Sequence, residues 1–249
     1  MKKIFCFFLL SCFYISSFSQ DTINRKDNLG NKQGYWRKLD STGKKVYDGH
    51  FLNNIPIGEF HYYYPNGKLK ARSLMTGNGT RSQFTSFFKN GFKMAEGVFV
   101  NEKREGLWKF YSEYDGALVS EENYKIGIKE GDEITYYPSG GKSDFISWKN
   151  GKKTGSWVQY YQDGKIKLKG MYLDDLREGP VEAFFLSGQK IFTGQYHKGD
   201  PDGIWIYYNE KGEITRKESY EKGIRIKLDI LIPDTVPEKG IEEEGTERK

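Results

Sequence analysis

The chain has 249 residues, with 39 Lys and Arg against 34 Asp and Glu and a formal net charge of +5. That even mixture of signs leaves no basic footprint for a nucleic acid, and a mean hydropathy of −0.74 is that of a soluble chain. Both cysteines, Cys6 and Cys12, fall in the first nineteen residues, so the rest of the chain has no thiol for a disulfide, a nucleophile or a metal site.

Lys2 and Lys3 precede an apolar run from Ile4 to Ile15, and then come Ser16, Ser17, Phe18 and Ser19. Basic, apolar and small residues in that order predict a cleavable secretory signal at 1–19. The run is too short to span a bilayer. Loss of Lys2 and Lys3 with it leaves a net charge of +3. Leu9-Leu10-Ser11-Cys12 faintly resembles a lipid-attachment box, but the residues after Cys12 stay apolar where a lipoprotein turns polar. Residues 20–33 read as a linker.

From residue 34 the chain repeats. Glycines recur at Gly43, Gly67, Gly91, Gly116, Gly140, Gly164, Gly188 and Gly212, in steps of 24 with a single step of 25. Phe51, Met75, Phe99, Tyr124, Trp148, Tyr172, Tyr196 and Tyr220 keep the same steps, which places the extra residue between Gly106 and Gly116. A second glycine opens the unit at Gly34, Gly58, Gly106, Gly131, Gly155, Gly179 and Gly203, with Ser82 as the exception. Two positions on stand Trp36, Phe60, Phe84, Trp108, Trp157 and Trp205, replaced by Glu133 and Val181 in two copies. Self-similarity at this period is the signature of a repeat array.

Each copy reads as a β-hairpin. In the sixth, an aromatic and β-branched strand from Trp157 to Tyr161 meets the turn Gln162-Asp163-Gly164, and a second strand, Ile166 to Leu173, returns to a polar turn before the next glycine. Eight copies over residues 34–223 predict an all-β, elongated antiparallel meander of up to sixteen strands, roughly 75 Å long at a strand spacing of about 4.8 Å. One hairpin cannot bury its aromatic face alone, so neighbouring copies must share it. The glycines and aromatics are therefore structural positions. The alternating stretch Ile224-Arg-Ile-Lys-Leu-Asp-Ile230 reads as a capping strand within 224–232, its charges suited to an edge that must not recruit another chain. Residues 233–249, with six acids, three bases and no aromatic, read as a disordered acidic tail.

The unit G-x-W-x-x-Y-Y-x-x-G, carried by Trp108, Trp157 and Trp205, by Tyr63, Tyr136 and Tyr160, and by the turn glycines, resembles the MORN repeat (membrane occupation and recognition nexus). It is most similar to the variant form of bacterial proteins often labelled antitoxin-like. The resemblance covers about residues 34–223 and implies an extended hairpin array that serves as an interaction or membrane-associating scaffold. The Tyr-Glu-Gly-Glu-Trp phrase of eukaryotic copies is absent, and the second copy ends irregularly in Thr76-Gly77-Asn78-Gly79-Thr80. A neutraliser of a partner toxin is what the label would imply, but an export signal conflicts with it.

Catalytic constellations are absent from the pattern. His50, His61 and His197 occupy different positions within their copies, and Gly140-Gly141-Lys142-Ser143 has Tyr136 where a phosphate-binding loop needs its first glycine. No enzyme, cofactor or metal is expected. The leading expectation is an exported scaffold that presents a long surface to a protein partner in the cell envelope or outside the cell. A lipid- or glycan-binding surface is the alternative, on the lysines Lys149, Lys152, Lys153, Lys165, Lys167 and Lys169 that crowd two adjacent copies. An outer-membrane barrel is disfavoured because the expected strands, six to eight residues, fall short of the 9–11 that a bilayer requires.

Overall fold

The structure is a computed structural model that describes residues 22–232; the expected signal at 1–19 and the acidic tail at 233–249 lie outside the described residues. These residues form nineteen strands and no helix. Each strand pairs antiparallel with its sequence neighbour, from Arg25–Lys26 to Ile224–Ile230. Leu176–Arg177 and Gly179–Phe184 both pair with Ile166–Leu173 and are halves of one strand broken at Glu178. The eight copies thus supply sixteen strands in one open meander. Among the described residues no pairing joins Lys32–Leu39 to Ile224–Ile230, so it is the openness of the sheet that separates it from a barrel.

The turn in the opening half of each copy follows its sequence. In the sixth copy Gly164, at φ +87°, donates its amide to the Tyr161 carbonyl at 2.9 Å, and the Asp163 carboxylate accepts the Lys165 amide at 3.1 Å. A type I turn closed by a left-handed glycine matches the right-handed twist of the flanking strands. The extra residue of the fourth copy is absorbed here: the Gly116 amide reaches back to Ser112, one residue further than its counterparts, while the strand Lys103–Tyr111 keeps its length.

The return turn differs from expectation. It is a two-residue turn, such as Asp174-Asp175 with both φ positive at 51° and 71°, and pairing resumes at once. Strands therefore begin three residues before the second glycine and run to eight or nine residues, as in Lys152–Tyr160. Gly155 sits within that strand, not before it, and opposite it the register slips between Ile146 and Trp148. The second glycine is thus the site of a bulge, and the longer strands remove the length argument against a barrel.

The bulge builds the core. It throws the aromatic two residues on across the neighbouring strand, where the ring lies on a glycine backbone: Phe60 on Gly49, Trp108 on Gly97, Trp205 on Gly194. These rings are almost fully buried, Trp108 to 1 % exposure. Cross-strand rows extend the pattern through Trp36 opposite Gly49, Phe60 opposite Ser73 opposite Phe84, and Trp157 opposite Gly170.

The N-terminal end differs from the linker expected there, whereas the C-terminal strand is where it was expected. The segment 20–33 contains the strand Arg25–Lys26, and Asn24 mimics a strand residue by accepting the Arg37 amide at 2.8 Å and donating to the Arg37 carbonyl at 3.0 Å. At the other end Ile224–Ile230 caps the array, but Ile224, Ile226 and Ile230 are each more than 60 % exposed.

Candidate interaction surface

On the face opposite the buried rings one cross-strand row runs unbroken from strand to strand. It begins Arg37, Asp48, His61, Arg72, Thr85, Glu96, Lys109, Glu121. It continues Ile134, Phe145, Val158 and then Lys169, Glu182, Thr193, Ile206, Lys217, Asp229. One position per strand, directly opposed, is the arrangement through which an extended ligand can be read copy by copy.

Three acids of the row, Asp48, Glu96 and Glu121, are held as carboxylates by one local device. Asp48, 6 % exposed, meets Lys45 Nζ at 2.8 Å, His61 Nδ1 at 3.2 Å and the Tyr63 hydroxyl at 3.2 Å. Glu96 takes Lys93 and Tyr111 in the same way, and Glu121 takes Lys109 at 2.8 Å and Tyr136 at 2.7 Å. Burial works to raise the Asp48 and Glu96 pKa values, but the lysine and tyrosine hydrogen bonds outweigh it and both sit below the ordinary carboxylate range. Glu121 is lowered chiefly by the hydrogen bonds from Lys109 and Tyr136. Tyr63 and Tyr136 thus point to this face and satisfy the row. Tyr160 has no such partner, because Phe145 stands where those copies carry the acid.

That replacement makes the longest apolar interval in the row, which elsewhere has only the single Ile206. Ile134, Phe145 and Val158 are half-buried cross-strand neighbours, with the Lys109–Glu121 pair before them and the Lys169–Glu182 pair, at 2.6 Å, after them. Val158 borders a concavity of about 420 Å³, lined also by Ser156, Lys169, Met171, Glu182 and Thr193. Sequence reading missed this strip. Stepping by 24 from Ile134 through Val158, Glu182 and Ile206, interleaved with the series through Phe145, would have exposed it.

The six lysines are not brought to one patch. Lys149 and Lys152 flank a return turn at one edge of the sheet, with Lys152 4.0 Å from Asp174. Lys165 lies at the opposite edge, roughly a nine-residue strand or 30 Å away at about 3.3 Å per residue, and donates to the Leu186 carbonyl at 3.0 Å. Lys153 stacks on Tyr172 at 5.3 Å on the ring-bearing face, Lys167 lies over Tyr161, and Lys169 pairs with Glu182. Adjacent numbering brought them together in sequence, whereas alternation along strands separates them in space.

Stitches between copies make the surface continuous. The hydroxyls of Tyr64, Tyr137 and Tyr161 donate to the carbonyls of Phe87, Tyr160 and Phe184, one copy further on, at 2.6–2.7 Å. The histidines stay apart: His61 bonds Asp48, His197 bonds Glu178 at 3.1 Å, and His50 packs on Tyr35. Among the described residues no group of three or more His, Cys, Asp or Glu converges as a metal site would require.

The pattern of the MORN repeat variant matches residues 56–75, 153–174 and 201–222. No curated protein sequence matches the chain. Among solved structures, part of TarM is similar at 12 % identity and a TM-score of 0.23, over 51 % of this chain and 20 % of TarM. A TcdB2-TccC3 structure is similar at 11 % identity and a TM-score of 0.22, over 73 % of this chain and 12 % of that one. A porin-like protein from Bacteroides uniformis is similar at 8 % identity and a TM-score of 0.20, over 79 % of this chain and 96 % of that one. The chain thus spans about a fifth or less of the first two. The matched segments fall in the second, sixth and eighth copies of the array.

Proposed function

We propose that the chain is a non-enzymatic interaction scaffold that binds a partner protein along the polar face of its sheet, in the cell envelope or outside the cell. The observation that carries this reading is the unbroken row from Arg37 to Asp229, with its apolar interval at Ile134, Phe145 and Val158. Ion pairs on either side of an apolar strip suit a protein surface with a complementary order of charge and hydrophobe, in which the strip contributes affinity and the charges set register. MORN repeats in general are protein- or membrane-interaction modules, which supports the class. The export order of residues 1–19 supports the location.

The test is crosslinking of tagged full-length chain in its own cells, followed by mass spectrometry, with Phe145→Glu beside it. A dominant crosslinked protein that is lost in Phe145→Glu is the expected result. A protein partner that survives this substitution, or none at all, would overturn the assignment of the polar face.

A further inference from the structure

The ring-bearing face carries its own cation series. In five copies a lysine or arginine sits over the aromatic nineteen or twenty residues ahead: Lys32 over Phe51 at 4.6 Å, Arg104 over Tyr124 at 5.1 Å, Lys129 over Trp148 at 4.8 Å, Lys153 over Tyr172 at 5.3 Å and Arg177 over Tyr196 at 5.2 Å. The backbone marks the position independently. The carbonyl of that residue accepts an amide from the next return turn, as Arg104 does from Gly127, Lys129 from Gly151, Lys153 from Asp175 and Arg177 from Gly199.

In the third copy the carbonyl nearest to this role belongs to Thr80, which accepts the Asn101 amide at 2.7 Å, from the first residue of its return turn where the other copies use the second. The ring nineteen residues ahead is Phe99, so the aromatic remains and the cation is missing. The second copy lacks both, with Pro56 and Met75, and the eighth has Pro201 before Tyr220, whose hydroxyl is already engaged by Glu218 at 2.6 Å. A concavity opens where the third copy's cation would stand, and it reaches Pro56 and Met75 of the second copy. It holds about 320 Å³ and is lined by Tyr62, Met75, Thr80, Phe84 and Phe99, with Glu102 among its polar groups. Arg104, across the strand pair from Phe99, is committed to Trp108, Phe110 and Tyr124. Arg81 borders the concavity but stacks on no ring among the described residues.

We propose that this concavity is a receptor for the side chain of an arginine or lysine supplied by a partner protein, which takes over Phe99 the place that five other copies fill from their own chain. A ring face attracts such a cation most strongly where the site is partly desolvated, and the Glu102 carboxylate supplies the opposite charge. The irregular Thr76-Gly77-Asn78-Gly79 turn is part of the device. Gly79 lies against Ile55 and Pro56, so the loop folds over the second copy and helps to form the wall. The inference rests on the interaction reading only for the source of the cation.

The test is a titration of full-length chain, labelled with ¹³C at its methionine methyls, with the peptide acetyl-Gly-Arg-Gly-amide. Met75 lines the concavity and Met171 lies in the distant one beside Val158, so the two report separately. The expected result is a saturable shift of the Met75 methyl alone, with half-saturation on the order of millimolar for so small a contact. Acetyl-Gly-Glu-Gly-amide should give none. Thr80→Arg, which restores the chain's own cation, should keep the far-ultraviolet spectrum and abolish the shift, and Glu102→Gln should weaken binding several-fold. An unsaturable or absent shift at Met75, equal response to both peptides, or undiminished binding by folded Thr80→Arg would overturn the proposal. The titration involves no cellular partner, so its failure removes this site alone. A failed crosslinking experiment removes the polar-face reading and leaves a saturable Met75 shift standing.

Discussion

The glycines beneath the buried rings make a sharp energetic prediction. A Cβ added at Gly194 would lie 2.5 Å from Trp205 Cε2 and 2.7 Å from Cε3, about an ångström inside the 3.5–4.0 Å of an ordinary carbon contact. Trp205 cannot swing away, because Phe192 and Tyr196 hold it at ring-centre distances of 5.3 and 5.2 Å and it is 5 % exposed. Overpacking of this kind costs about 1–3 kcal/mol. Replacing a strand glycine by alanine returns roughly 0.5–1 kcal/mol of backbone entropy, so Gly194→Ala should lose about 1–2 kcal/mol. At Gly170 the same atom would meet Trp157 Cε3 at 3.3 Å and Val181 Cγ2 at 3.5 Å, close to ordinary contact. Gly170→Ala should therefore be neutral or slightly stabilising. For a chain of this size the melting temperature moves roughly 2–4 °C per kcal/mol, so thermal melts followed by circular dichroism should show a fall of about 2–8 °C for the first variant and a change under about 2 °C for the second. Trp205→Val should rescue Gly194→Ala in part, since it removes the ring that the new Cβ meets and leaves the smaller side chain that faces Gly170 at Val181, with a coupling of at least about 1 kcal/mol. Equal shifts at the two glycines, or strict additivity in the double variant, would refute the account of the core.

Glu218, 5 % exposed, accepts hydrogen bonds from Tyr207, Tyr220, Arg216 and Arg225. Burial would raise its pKa, but the bonds from Tyr220 and Tyr207 and the arginine charges outweigh burial and hold it below the ordinary 4.5. Its contribution is therefore complete above pH 4.5 and disappears as pH falls through the lowered folded value. Melting temperature should drop over that acid range, and Glu218→Gln should flatten the drop while losing about 1.5–3 kcal/mol at neutral pH. Tyr136 and Tyr220 are pushed up to about 12, the first by burial and then by its bond to Glu121, the second by its bond to Glu218 and then by burial. Because the folded state keeps these protons longer, stability should fall as pH rises from 10 towards 12, and absorbance at 295 nm should show both among a set of late-titrating tyrosines that includes Tyr111, raised by burial and its bond to Glu96. Tyr137→Phe removes the stitch to the Tyr160 carbonyl and should cost about 1 kcal/mol by chemical denaturation, with no change in secondary structure.

The period, the hairpins and the first turn were legible because each is written in residue types with one conformational meaning. Glycine at Gly164 needs a positive φ, and an aromatic run before it makes a strand. The return turn was placed correctly after Leu173 but drawn too long, because Gly155, read as the boundary that ends it, is a bulge inside its strand, and the glycines that do mark the turn, Gly127, Gly151, Gly199 and Gly223, recur in only half of the copies. The surface was hidden for a related reason. Which residues share a face depends on how many residues each bulge inserts, and a bulge that places two extra residues opposite Gly49 changes the partner of everything beyond it. Hence Lys149 to Lys169 looked like a patch and are spread over both edges and both faces, while Ile134, Phe145 and Val158, far apart in sequence, are neighbours.

One rule accounts for Glu133 in the buried row, whereas nothing in the structure explains Val181, which has glycine on both neighbouring strands. A ring requires an empty place on the strand beside it, so Phe60, Trp108 and Trp205 each face glycine and Phe84 faces Ser73. Where the fourth copy puts Glu122 in the glycine position, a ring in the fifth would collide with it, and the residue there is Glu133. The space is filled instead by Lys129, whose ammonium reaches Glu133 at 2.7 Å, Glu122 at 3.2 Å and the Trp148 ring at 4.8 Å. The cation of the surface series has been drawn into the core row to replace an aromatic. Ion clusters of this kind contribute little net stability compared with a packed ring, but two acids around one lysine tolerate only one register. The middle of the array is thus where pairing is fixed by charge, and the Ile134–Phe145–Val158 strip lies directly on the other side of that same layer.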